Sequence, residues 1–539
     1  MQSTFMKKII LTCAFALFCL SESNSQSYQK AYGATNPNQQ ELYDLFTDSE
    51  GNIFTSGTFR NLSVFEQDNY YGSVSRINPE GNTIWHKAYL PEEYEALDSF
   101  FINSVYADNN GSLYCFGVFL DAQVDSGYYI MKLDADGEVI WAKFISDGYA
   151  DLITDTVYTS EAIYLIYTNR IVKMNFSGEV VNVVNINLGF EVALRKAIVT
   201  SSGNLVITGE LYLNNNWNTP VIIFDSNLNL INGYLYYRDE NGATYGTALC
   251  EAADDELIIG LSDRSVFSIN QSGELQWVKT ILANETETTL DALDYISNIQ
   301  PLNAEKTEFY IAMNGSYFDD IINLLYVGLG NMDNNGNISN LKAIKKTPFE
   351  TIDNYHSVSE LIVDSNTGYY HLAGKLIASD GDEVNHHYNY LHKGSLSEVG
   401  CGEEAITFNT SSTIESLNMS VMPAELFVQG TVQIAPATIT VQDLPLEYDE
   451  TYCIDALLQS PDLETDAVAL YPNPASDIIT VQANQDIKEM MVFDVLGKTV
   501  GVTFITDNTI NVAYLDSGMY IIKVLTADNK TFTLKFVKQ

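Results

Sequence analysis

Histidine is scarce in this sequence and unevenly placed. Six histidines occur among 539 residues, and five of them lie between positions 356 and 392. His356, His386 and His387 belong to polar segments, and Asp382 precedes the histidine pair. Imidazole nitrogens and carboxylate oxygens bind divalent metal ions, and imidazole exchanges protons near neutral pH. These four residues are therefore a candidate site for a divalent cation or for acid–base chemistry, with solvated polar loops as the alternative interpretation.

Aromatic residues in polar segments suggest a second kind of site. Trp217 lies in "LNNNWNTP", Tyr317 in "NGSYFDDI" and Tyr355 in "KTPFETIDNYH". An aromatic ring in a loop can stack on a flat or apolar ligand surface, but it can also pack against its own loop. We therefore hold these three residues as candidate binding residues.

Acidic turns with glycine recur through the chain and suggest calcium binding. A calcium loop needs Asp or Asn at its first position, glycine at its sixth and Glu at its twelfth. The segment "NMDNNGNISNLK" begins suitably with Asn331 but ends with Lys342, and others begin with Phe46, Tyr106 or Lys132. These turns are therefore predicted to close β-hairpins. No serine-nucleophile, zinc or phosphate-loop motif accompanies them, so the sequence predicts no catalytic residue and no organic cofactor.

The segments that would position these residues repeat. One phrase, an alternating apolar run with an acidic glycine turn, appears as "LFTDSEGNIFTSGTF", "VYADNNGSLYCFGVF" and "LIVDSNTGYYHLAGKL". A second phrase ends in a strand with an early tryptophan, as in "VSRINPEGNTIWHKAY" and "IMKLDADGEVIWAKFI". Each pair of phrases predicts four short antiparallel strands, repeated about seven times at roughly fifty residues. This pattern favours an all-β, seven-bladed β-propeller over residues 27–398, rather than a row of separate sandwiches.

The N-terminal strand predicts how such a propeller closes. The seventh copy lacks a fourth strand, and "YQKAYG" at 28–33 repeats the fourth-strand phrase "WHKAYL" at 85–90. Pairing the N-terminal strand with the last blade would leave no blade with an open edge. In this arrangement the glycine turns share one face, and the longer loops, which carry the candidate residues above, share the other.

Three tryptophans occupy equivalent positions in the outer strands of their repeats. Trp85, Trp141 and Trp277 each follow the glycine turn of the second phrase. A residue repeated in this way is typical of packing between blades rather than of sugar stacking. The phrase that carries these tryptophans resembles the blades of pyrroloquinoline-quinone enzymes and their non-enzymatic relatives. The resemblance covers the packing pattern, and it assigns no cofactor-binding residue here.

The N-terminus indicates where the protein is located, and the net charge limits its possible partners. Residues 1–26 have Lys7 and Lys8 before an apolar run, which predicts a signal peptide cleaved near Ser25 or Gln26. The alternative is a lipoprotein anchored through Cys19, and the apolar run is too short for a comfortable membrane span. The formal net charge of −43 makes nucleic acid a poor partner, because acidic surfaces repel phosphate.

The C-terminal residues 461–539 differ in composition from the repeats and predict a small antiparallel sandwich. They resemble the type A C-terminal sorting domain of the type IX secretion system of Bacteroidetes. The resemblance implies interaction with the type IX machinery and passage to the cell surface or the medium. The matching residues are Pro472, Asn473, Pro474, Asp494, Gly497, Lys498, Leu515, Gly518, Tyr520, Lys535 and Lys538.

Residues 399–460 lie between the propeller and the tail. They are strand-like, and we predict a small β module or an extended connector stapled by a disulfide between Cys401 and Cys453, since exported proteins favour disulfides. Metal binding by these two cysteines is the weaker alternative. Cys115 and Cys250 lie in apolar strand patterns and are predicted to be buried thiols.

Taken together, these features predict a secreted or cell-surface propeller that acts as a binding module for a glycan or a protein. The first alternative is an extracellular polysaccharide-degrading enzyme that works from the loop face. The second is a surface scaffold without a small ligand.

Overall fold

The structure is a computed structural model. It describes residues 27–33, 40–60, 70–91, 99–108, 110–120, 127–146, 153–186, 192–213, 216–238, 244–283, 292–319, 322–344, 355–379, 385–400, 403–405, 408–411, 417–422, 427–444, 448–454, 469–482, 487–494, 498–506, 508–526 and 531–539. The predicted signal peptide, 1–26, therefore lies outside the described residues and stays a prediction.

Strands account for nearly all of the regular structure. The chain begins with β1 (Tyr28–Gly33). Sheet 1 follows with β2 (Gln40–Thr47), β3 (Ile53–Arg60), β4 (Tyr70–Ile77) and β5 (Thr83–Pro91). Sheet 2 contains β6 (Ser99–Ala107), β7 (Leu113–Leu120), β8 (Gly127–Leu133) and β9 (Val139–Ser146). Sheet 3 contains β10 (Ile153–Tyr158), β11 (Ile163–Tyr167), β12 (Arg170–Met174) and β13 (Val180–Ile186).

The next sheets have the same order. Sheet 4 contains β14 (Val192–Val199), β15 (Leu205–Leu213), β16 (Asn216–Phe224) and β17 (Leu230–Tyr237). Sheet 5 contains β18 (Gly246–Glu251), a 3-10 turn (Ala253–Asp255), β19 (Leu257–Leu261), β20 (Ser265–Ile269) and β21 (Leu275–Ala283). Sheet 6 contains β22 (Ala292–Pro301), β23 (Glu308–Asp319), β24 (Ile322–Asp333) and β25 (Ile338–Ile344). Sheet 7 contains β26 (Tyr355–Asp364), β27 (Tyr369–Ser379), β28 (Asn385–Ser395) and, as its fourth strand, β1.

The acidic glycine turns close hairpins at one end of the sheets, which we call the turn end. In the β2–β3 turn, Asp48 Oδ1 accepts hydrogen bonds from the amides of Glu50 and Asn52, at 2.9 and 2.8 Å. Gly51 has φ 80°, which glycine adopts without strain. The carboxylate of Asp48 thus satisfies backbone amides of its own turn, as in an Asx turn. This geometry agrees with hairpin turns rather than calcium loops.

Apolar side chains between neighbouring sheets form the core. Separate clusters join sheets 1 and 2, 2 and 3, 3 and 4, 4 and 5, 5 and 6, and 6 and 7. A further cluster packs Tyr28, Tyr32 and Leu391 of sheet 7 against Leu42 and Leu45 of sheet 1. Packing of each sheet on the next in this way gives a propeller-like, all-β fold.

The repeated tryptophans contact the next sheet. Trp85 Nε1 of sheet 1 donates to the carbonyl of Ala135 in sheet 2, at 3.1 Å. Trp277 Nε1 of sheet 5 donates to the carbonyl of Asn334 in sheet 6, at 2.9 Å. The ring of Trp141 lies against Gly178, where a Cβ would come within 2.7 Å of it. The tryptophans therefore pack between sheets, as their spacing indicates.

The N-terminal strand has the same contacts as its internal counterpart. β1 pairs antiparallel with β28, with Tyr28 opposite Lys393. The Tyr28 ring lies against Gly81 of sheet 1, and a Cβ there would be 3.0 Å from Cζ. Trp85 has the equivalent relation to Gly137 of sheet 2, at 3.1 Å. The two similar phrases thus occupy matching places in the fold.

Residues 403–454, which we call the belt, add one strand to each of the seven sheets. The belt strands are β29 (Glu403–Ala405), β30 (Phe408–Ser411), β31 (Asn418–Val421), β32 (Phe427–Gln429), β33 (Gln433–Ala437), β34 (Ile439–Asp443) and β35 (Tyr448–Ile454). They pair antiparallel with β25, β21, β17, β13, β9, β5 and β1, in that order. The belt thus visits sheets 6, 5, 4, 3, 2 and 1 and ends on sheet 7.

The belt differs from a separate small β module. Its strands are three to seven residues long, too short to bury a core of their own, whereas the outer edges of the sheets offer unpaired backbone groups. Of the predicted disulfide, Cys401 lies outside the described residues, and for Cys453 the structure describes the backbone in β35 but not the side chain. The disulfide stays a prediction. Cys115 and Cys250 are buried free thiols, and burial raises the pKa of Cys250 to about 12.

Residues 456–539 form a second compact unit. Its strands are β36 (Ala469–Tyr471), β37 (Ile478–Gln482), β38 (Ile487–Asp494), β39 (Thr499–Val500), β40 (Thr503–Thr506), β41 (Thr509–Asn511), β42 (Gly518–Thr526) and β43 (Thr531–Lys538). They make two four-stranded sheets, β36-β37-β41-β40 and β39-β38-β42-β43, which enclose one apolar core. The Asp494 carboxylate accepts the Lys498 amide at 2.9 Å and closes the turn of the sorting motif, whose Gly497 lies outside the described residues.

Candidate functional site

The first strands of all seven sheets line one cavity of about 880 Å³. Every first strand carries a β-bulge, a device that bends a strand and redirects a side chain. One register shift in each strand defines the level: Leu42/Asp44, Ile102/Ser104, Ile153/Asp155, Leu194/Lys196, Gly246/Ala248, Ile296/Asn298 and Val358/Glu360. The residues that follow these shifts all line the cavity, and we call them the bulge layer: Asp44, Ser104, Asp155, Lys196, Ala248, Asn298 and Glu360.

One lysine reaches across the cavity. Lys196 Nζ of sheet 4 lies 3.5 Å from Asp155 of sheet 3 and 3.2 Å from Glu360 of sheet 7. Sheets 4 and 7 share no core cluster, so the second contact bridges opposite parts of the wall. Burial opposes the charge of Lys196, but Asp155 and Glu360 outweigh it and raise the pKa of the ammonium group. Lys196 therefore places one positive charge between two carboxylates of different sheets.

Two carboxylates of the layer also bind backbone amides of the neighbouring sheet. Asp44 Oδ2 accepts the Val105 amide at 2.8 Å, and Asp155 Oδ2 accepts the Ala197 amide at 2.7 Å. Burial, together with the charge of Glu360, raises the pKa of Asp44 to about 7. Burial also raises the pKa of Asp155, although Lys196 opposes the shift. These carboxylates tie sheets together, and Asp44 does so without a cation of its own among the described residues.

Asn298 has an incompletely satisfied side chain. Its Nδ2 donates to Glu360 Oε1 at 3.0 Å, and only 3% of the residue is exposed. No donor among the described residues binds its Oδ1, and the same holds for Asn103 Oδ1 on the cavity wall. The bulge layer therefore offers hydrogen-bond acceptors that the described part of the protein leaves unused.

Aromatic rings line the cavity between the bulge layer and the turn end. Phe46 and Tyr106 meet edge to face with centroids 4.9 Å apart. Tyr106 and Tyr158 stack at 4.3 Å with an angle of 10° between their planes. The Tyr158 hydroxyl is held by Ser104 Oγ at 2.8 Å, and Phe176 lies 6.2 Å from Tyr106. Phe46, Tyr106 and Tyr158, the aromatic row, come from three consecutive sheets, and all three rings are only partly buried.

The opposite side of the turn end is charged. Lys306 of sheet 6 contacts the carboxylate of Glu251 on sheet 5. The same carboxylate accepts the Ser201 amide at 2.9 Å and the Ser201 hydroxyl at 2.6 Å. Burial opposes ionisation of Glu251, but Lys306 and Ser201 outweigh it and lower the carboxyl pKa. This pair is satisfied internally, so it forms a rigid, neutral wall opposite the aromatic row.

The aromatic residues predicted from the sequence lie elsewhere. Trp217 is in β16 at the loop end of sheet 4, outside the cavity lining, rather than in a loop. Its partly buried ring packs on Tyr212, with centroids 5.1 Å apart, and Tyr212 is 37% exposed. Tyr317 lies in β23 and Tyr355 in β26, where the structure describes the backbone but not these side chains.

The structure describes only the backbone of the histidines in the predicted metal site. His356 lies in β26, and His386 and His387 lie in β28, where they pair with Ala378 and Ile377 of β27. Their side chains and the whole of Asp382 lie outside what the structure describes. Within the described residues, no group of three His, Cys, Asp or Glu side chains is arranged to hold a metal ion. His371 and His392 are buried within strands, and burial lowers the pKa of His371 to about 3.

The bulge layer was not predicted from the sequence. Its signal is a pair of polar or ionisable residues that interrupts an apolar alternation at the same place in most first strands, as in Arg195–Lys196 or Ser359–Glu360. Consecutive polar residues break the two-residue period of a strand, and a bulge restores it.

Removing the bridging ammonium group should destabilise the protein. In Lys196→Met, Asp155 and Glu360 lose their counter-charge. We expect the free energy of unfolding at pH 8 to fall by about 2 kcal/mol. This is less than the cost of breaking a fully buried ion pair, because the cavity admits water. Protonation of Asp155, whose pKa is raised by burial, should reduce this loss at pH 5. Denaturant unfolding at both pH values measures it.

Lys375→Met is the matched control. Lys375 also pairs with a carboxylate of another sheet, but its one partner, Glu41, has a side chain that is 33% exposed, against 14% for Asp155 and 17% for Glu360. We expect it to cost less than about 1 kcal/mol. Equal losses in both variants at both pH values would contradict a special role for Lys196.

The C-terminal unit matches the model of a known domain family. Residues 469–539 match the family model described as "Secretion system C-terminal sorting domain". The match confirms the sorting domain predicted from the sequence, and it indicates export through the type IX system, to the cell surface or the medium. No curated protein matches the chain.

Several solved structures have low overall similarity. A protein of unknown function from Bacteroides caccae is 10% identical, covers 45% of this chain and 78% of its own, and has a TM-score of 0.29. Sqt1 from Chaetomium thermophilum is 9% identical, covers 66% and 96%, and has a TM-score of 0.36. The Pan2 WD40 domain from Neurospora crassa is 10% identical, covers 55% and 91%, and has a TM-score of 0.34. At these scores the similarities carry no argument about fold or function.

Membrane-spanning helices are also absent from the described ranges: no helix there combines the length and the apolar character needed to cross a bilayer.

Proposed function

We propose that residues 27–454 form a closed, seven-bladed β-propeller that binds a glycan in its central cavity outside the cell. Seven four-stranded sheets, the packing of sheet 7 on sheet 1, and a belt that adds a strand to every sheet support the closed arrangement. The match at 469–539 supports the extracellular location.

One observation carries the binding function: the aromatic row faces a cavity large enough for a small ligand. About 300 to 1,000 Å³ is usual for small-molecule sites, and the cavity of about 880 Å³ falls in this range. Partly buried aromatic rings beside hydrogen-bonding groups suit sugars, whose rings have apolar faces and polar edges. Tyr106 is the central ring of the row, with neighbours on both sides.

The contact between the rings of Trp217 and Tyr212 supports a second binding surface at the loop end. Tyr317 and Tyr355 belong to the same hypothesis, and a divalent cation at His356, His386, His387 and Asp382 would be an accessory to it. A polysaccharide-degrading enzyme is a weaker candidate, because Asp44 and Asp155, two of the three carboxylates of the bulge layer, already bind backbone amides.

The test compares the full chain with two variants on a glycan array, followed by calorimetry with the strongest ligands. Tyr106→Leu removes the central ring of the aromatic row but keeps an apolar side chain, and Trp217→Leu does the same at the loop end. We expect Tyr106→Leu to weaken binding at least tenfold and Trp217→Leu to leave it unchanged, with similar unfolding midpoints.

Each other outcome counts against the cavity. Loss of binding in Trp217→Leu alone would assign binding to the loop end. Cleaved products after incubation would make the protein an enzyme. Absence of binding to every glycan would overturn the proposal and favour a scaffold or a protein-binding module. Repeating the array with a chelator tests the accessory cation.

A further inference from the structure

The cavity has an excess of negative charge at one level. Lys196 alone faces three carboxylates of the bulge layer, Asp44, Asp155 and Glu360. The other cations on the wall have partners of their own: Arg195 binds Glu210 at 2.8 Å, and Lys306 contacts Glu251. Among the described residues, the bulge layer therefore lacks two positive charges when all three of its carboxylates are ionised.

Unused acceptors lie at the same level. Asn298 is almost completely buried and holds Glu360 through Nδ2, which leaves Oδ1 without a donor among the described residues. Asn103 Oδ1 on the cavity wall is in the same condition. Buried polar atoms are normally hydrogen-bonded, so the layer is complete only with a donor from outside the described protein. The charge calls for a cationic ligand group and the open acceptors call for a hydrogen-bond donor, and an ammonium group combines the two.

The aromatic row lies next to this acidic level. Phe46 is two residues beyond Asp44 in β2, and Tyr106 is two residues beyond Ser104 in β6. Alternate residues of a strand project on the same side, so a ring-shaped ligand on the aromatic row would present its substituents to the bulge layer. A metal ion fits less well, because no described group of three ligating side chains converges there.

We propose that the glycan bound in the cavity carries a free amino group, whose ammonium form contacts Asp44 and the open acceptors while a sugar ring packs on the aromatic row. This inference rests on the proposed function and names the chemical class of its ligand. An ammonium group supplies three donors and the missing charge, whereas an acetylated amine or a hydroxyl supplies donors without charge. The protein should therefore discriminate between oligosaccharides by the charge of their substituents and not by the type of sugar ring.

The test uses three tetrasaccharides of the same length and linkage geometry with the full chain: one of glucosamine, one of N-acetylglucosamine and one of glucose. We expect calorimetry at pH 7 to give at least tenfold tighter binding for the glucosamine oligomer than for the other two. The glucose oligomer controls for size, because it lacks the bulk of the acetyl group.

Two variants of opposite sign locate the effect. Asp44→Asn should reduce the preference for glucosamine over glucose below threefold, and its denaturant unfolding midpoint, measured in parallel, checks that the variant is folded. Asn103→Asp adds a carboxylate to the same wall and should increase the preference.

Equal affinity for all three sugars would overturn the inference and leave the proposed glycan binding standing. A preference that survives in Asp44→Asn would overturn the placement of the amine. Binding of none of the three, together with an empty glycan array, would overturn both proposals.

Discussion

Removing residues 27–35 should cost the propeller-like unit most of its stability, not merely fray one end. Without β1, the edges of β28 and β35 lose their partners, and the cluster between sheets 7 and 1 loses Tyr28 and Tyr32, which are almost fully buried. We expect a loss of about 5 kcal/mol or more, against the roughly 5 to 15 kcal/mol by which domains are usually stable. Denaturant unfolding followed by tyrosine and tryptophan fluorescence measures it.

A pair of single substitutions sharpens this test. Tyr32 and Tyr89 occupy matching places in "YQKAYG" and "WHKAYL" and are both fully buried. The Tyr32 hydroxyl bonds Thr55 of sheet 1 at 2.7 Å, and the Tyr89 hydroxyl donates to the Gly137 carbonyl of sheet 2 at 2.9 Å. If β1 closes the propeller, Tyr32→Ala should cost about as much as Tyr89→Ala, roughly 3 to 5 kcal/mol.

A loosely attached N-terminus predicts a different result. Tyr32→Ala would then cost well under 1 kcal/mol while Tyr89→Ala remained expensive, because only the second side chain would lie in a cooperative core. An unchanged unfolding midpoint after deletion of residues 27–35 would contradict closure directly.

The repeated elements were predictable because their signals are local. The alternation of apolar residues, the glycine turns and the recurring tryptophans each depend on neighbours a few residues away, and the structure has strands and hairpins at those places. The place of β1 could also be predicted, since "YQKAYG" repeats a phrase found inside sheet 1. In the structure β1 pairs with β28, as expected.

The belt and the bulge layer were harder to predict because both depend on distant partners. A belt strand such as β32, three residues long, has no periodicity of its own, and its pairing depends on the outer edge of β13. Lys196 likewise acquires its role from Glu360, 164 residues away. Neither relation leaves a pattern within one stretch of sequence, so spacing alone does not reveal it.

The entry of the belt depends on a buried ionic cluster. Glu403, the first residue of β29, has a fully buried side chain between sheets 6 and 7. Lys342 Nζ donates to Glu403 Oε2 at 2.9 Å, His392 Nε2 lies 3.3 Å from Oε1, and the Tyr370 hydroxyl donates to the same carboxylate. The Gly400 amide adds a fourth hydrogen bond, at 2.8 Å.

The environment of this carboxylate makes stability depend on pH. Burial opposes the charge of Glu403, but His392 and Lys342 outweigh it and lower the carboxyl pKa from 4.5 to about 2. A carboxyl whose pKa is lower in the folded state stabilises the fold above its unfolded pKa and loses that contribution as the pH falls through the folded value. The contribution of about 3 kcal/mol at pH 7 should therefore decline below pH 4.5 and reach about 1 kcal/mol at pH 3.

Glu403→Gln should remove this contribution. The neutral amide leaves the Lys342 ammonium group buried without its anion, and breaking a buried ion pair costs about 3 to 5 kcal/mol. The backbone carbonyls of Ser395 and Glu398 also accept hydrogen bonds from Lys342, so they offset part of this cost. We therefore expect a loss of about 3 kcal/mol at pH 7. The difference between wild type and variant should shrink to about 1 kcal/mol at pH 3, because the wild-type carboxylate loses its advantage there.

The matched control is Glu398→Gln, which removes an exposed carboxylate five residues away and should change stability by less than about 0.5 kcal/mol, the usual limit for surface sites.

Limited proteolysis supplies a second measurement, because a belt released at its first strand should be cleaved within 403–454 before the seven sheets unfold. A Glu403→Gln protein as stable as the wild type, or a stability difference that stays constant between pH 7 and pH 3, would show that the belt is held by strand pairing alone. We expect two results together: a large loss of stability that becomes smaller at acidic pH, and early cleavage within the belt. Both would occur only if the buried charge of Glu403 anchors the first strand of the belt.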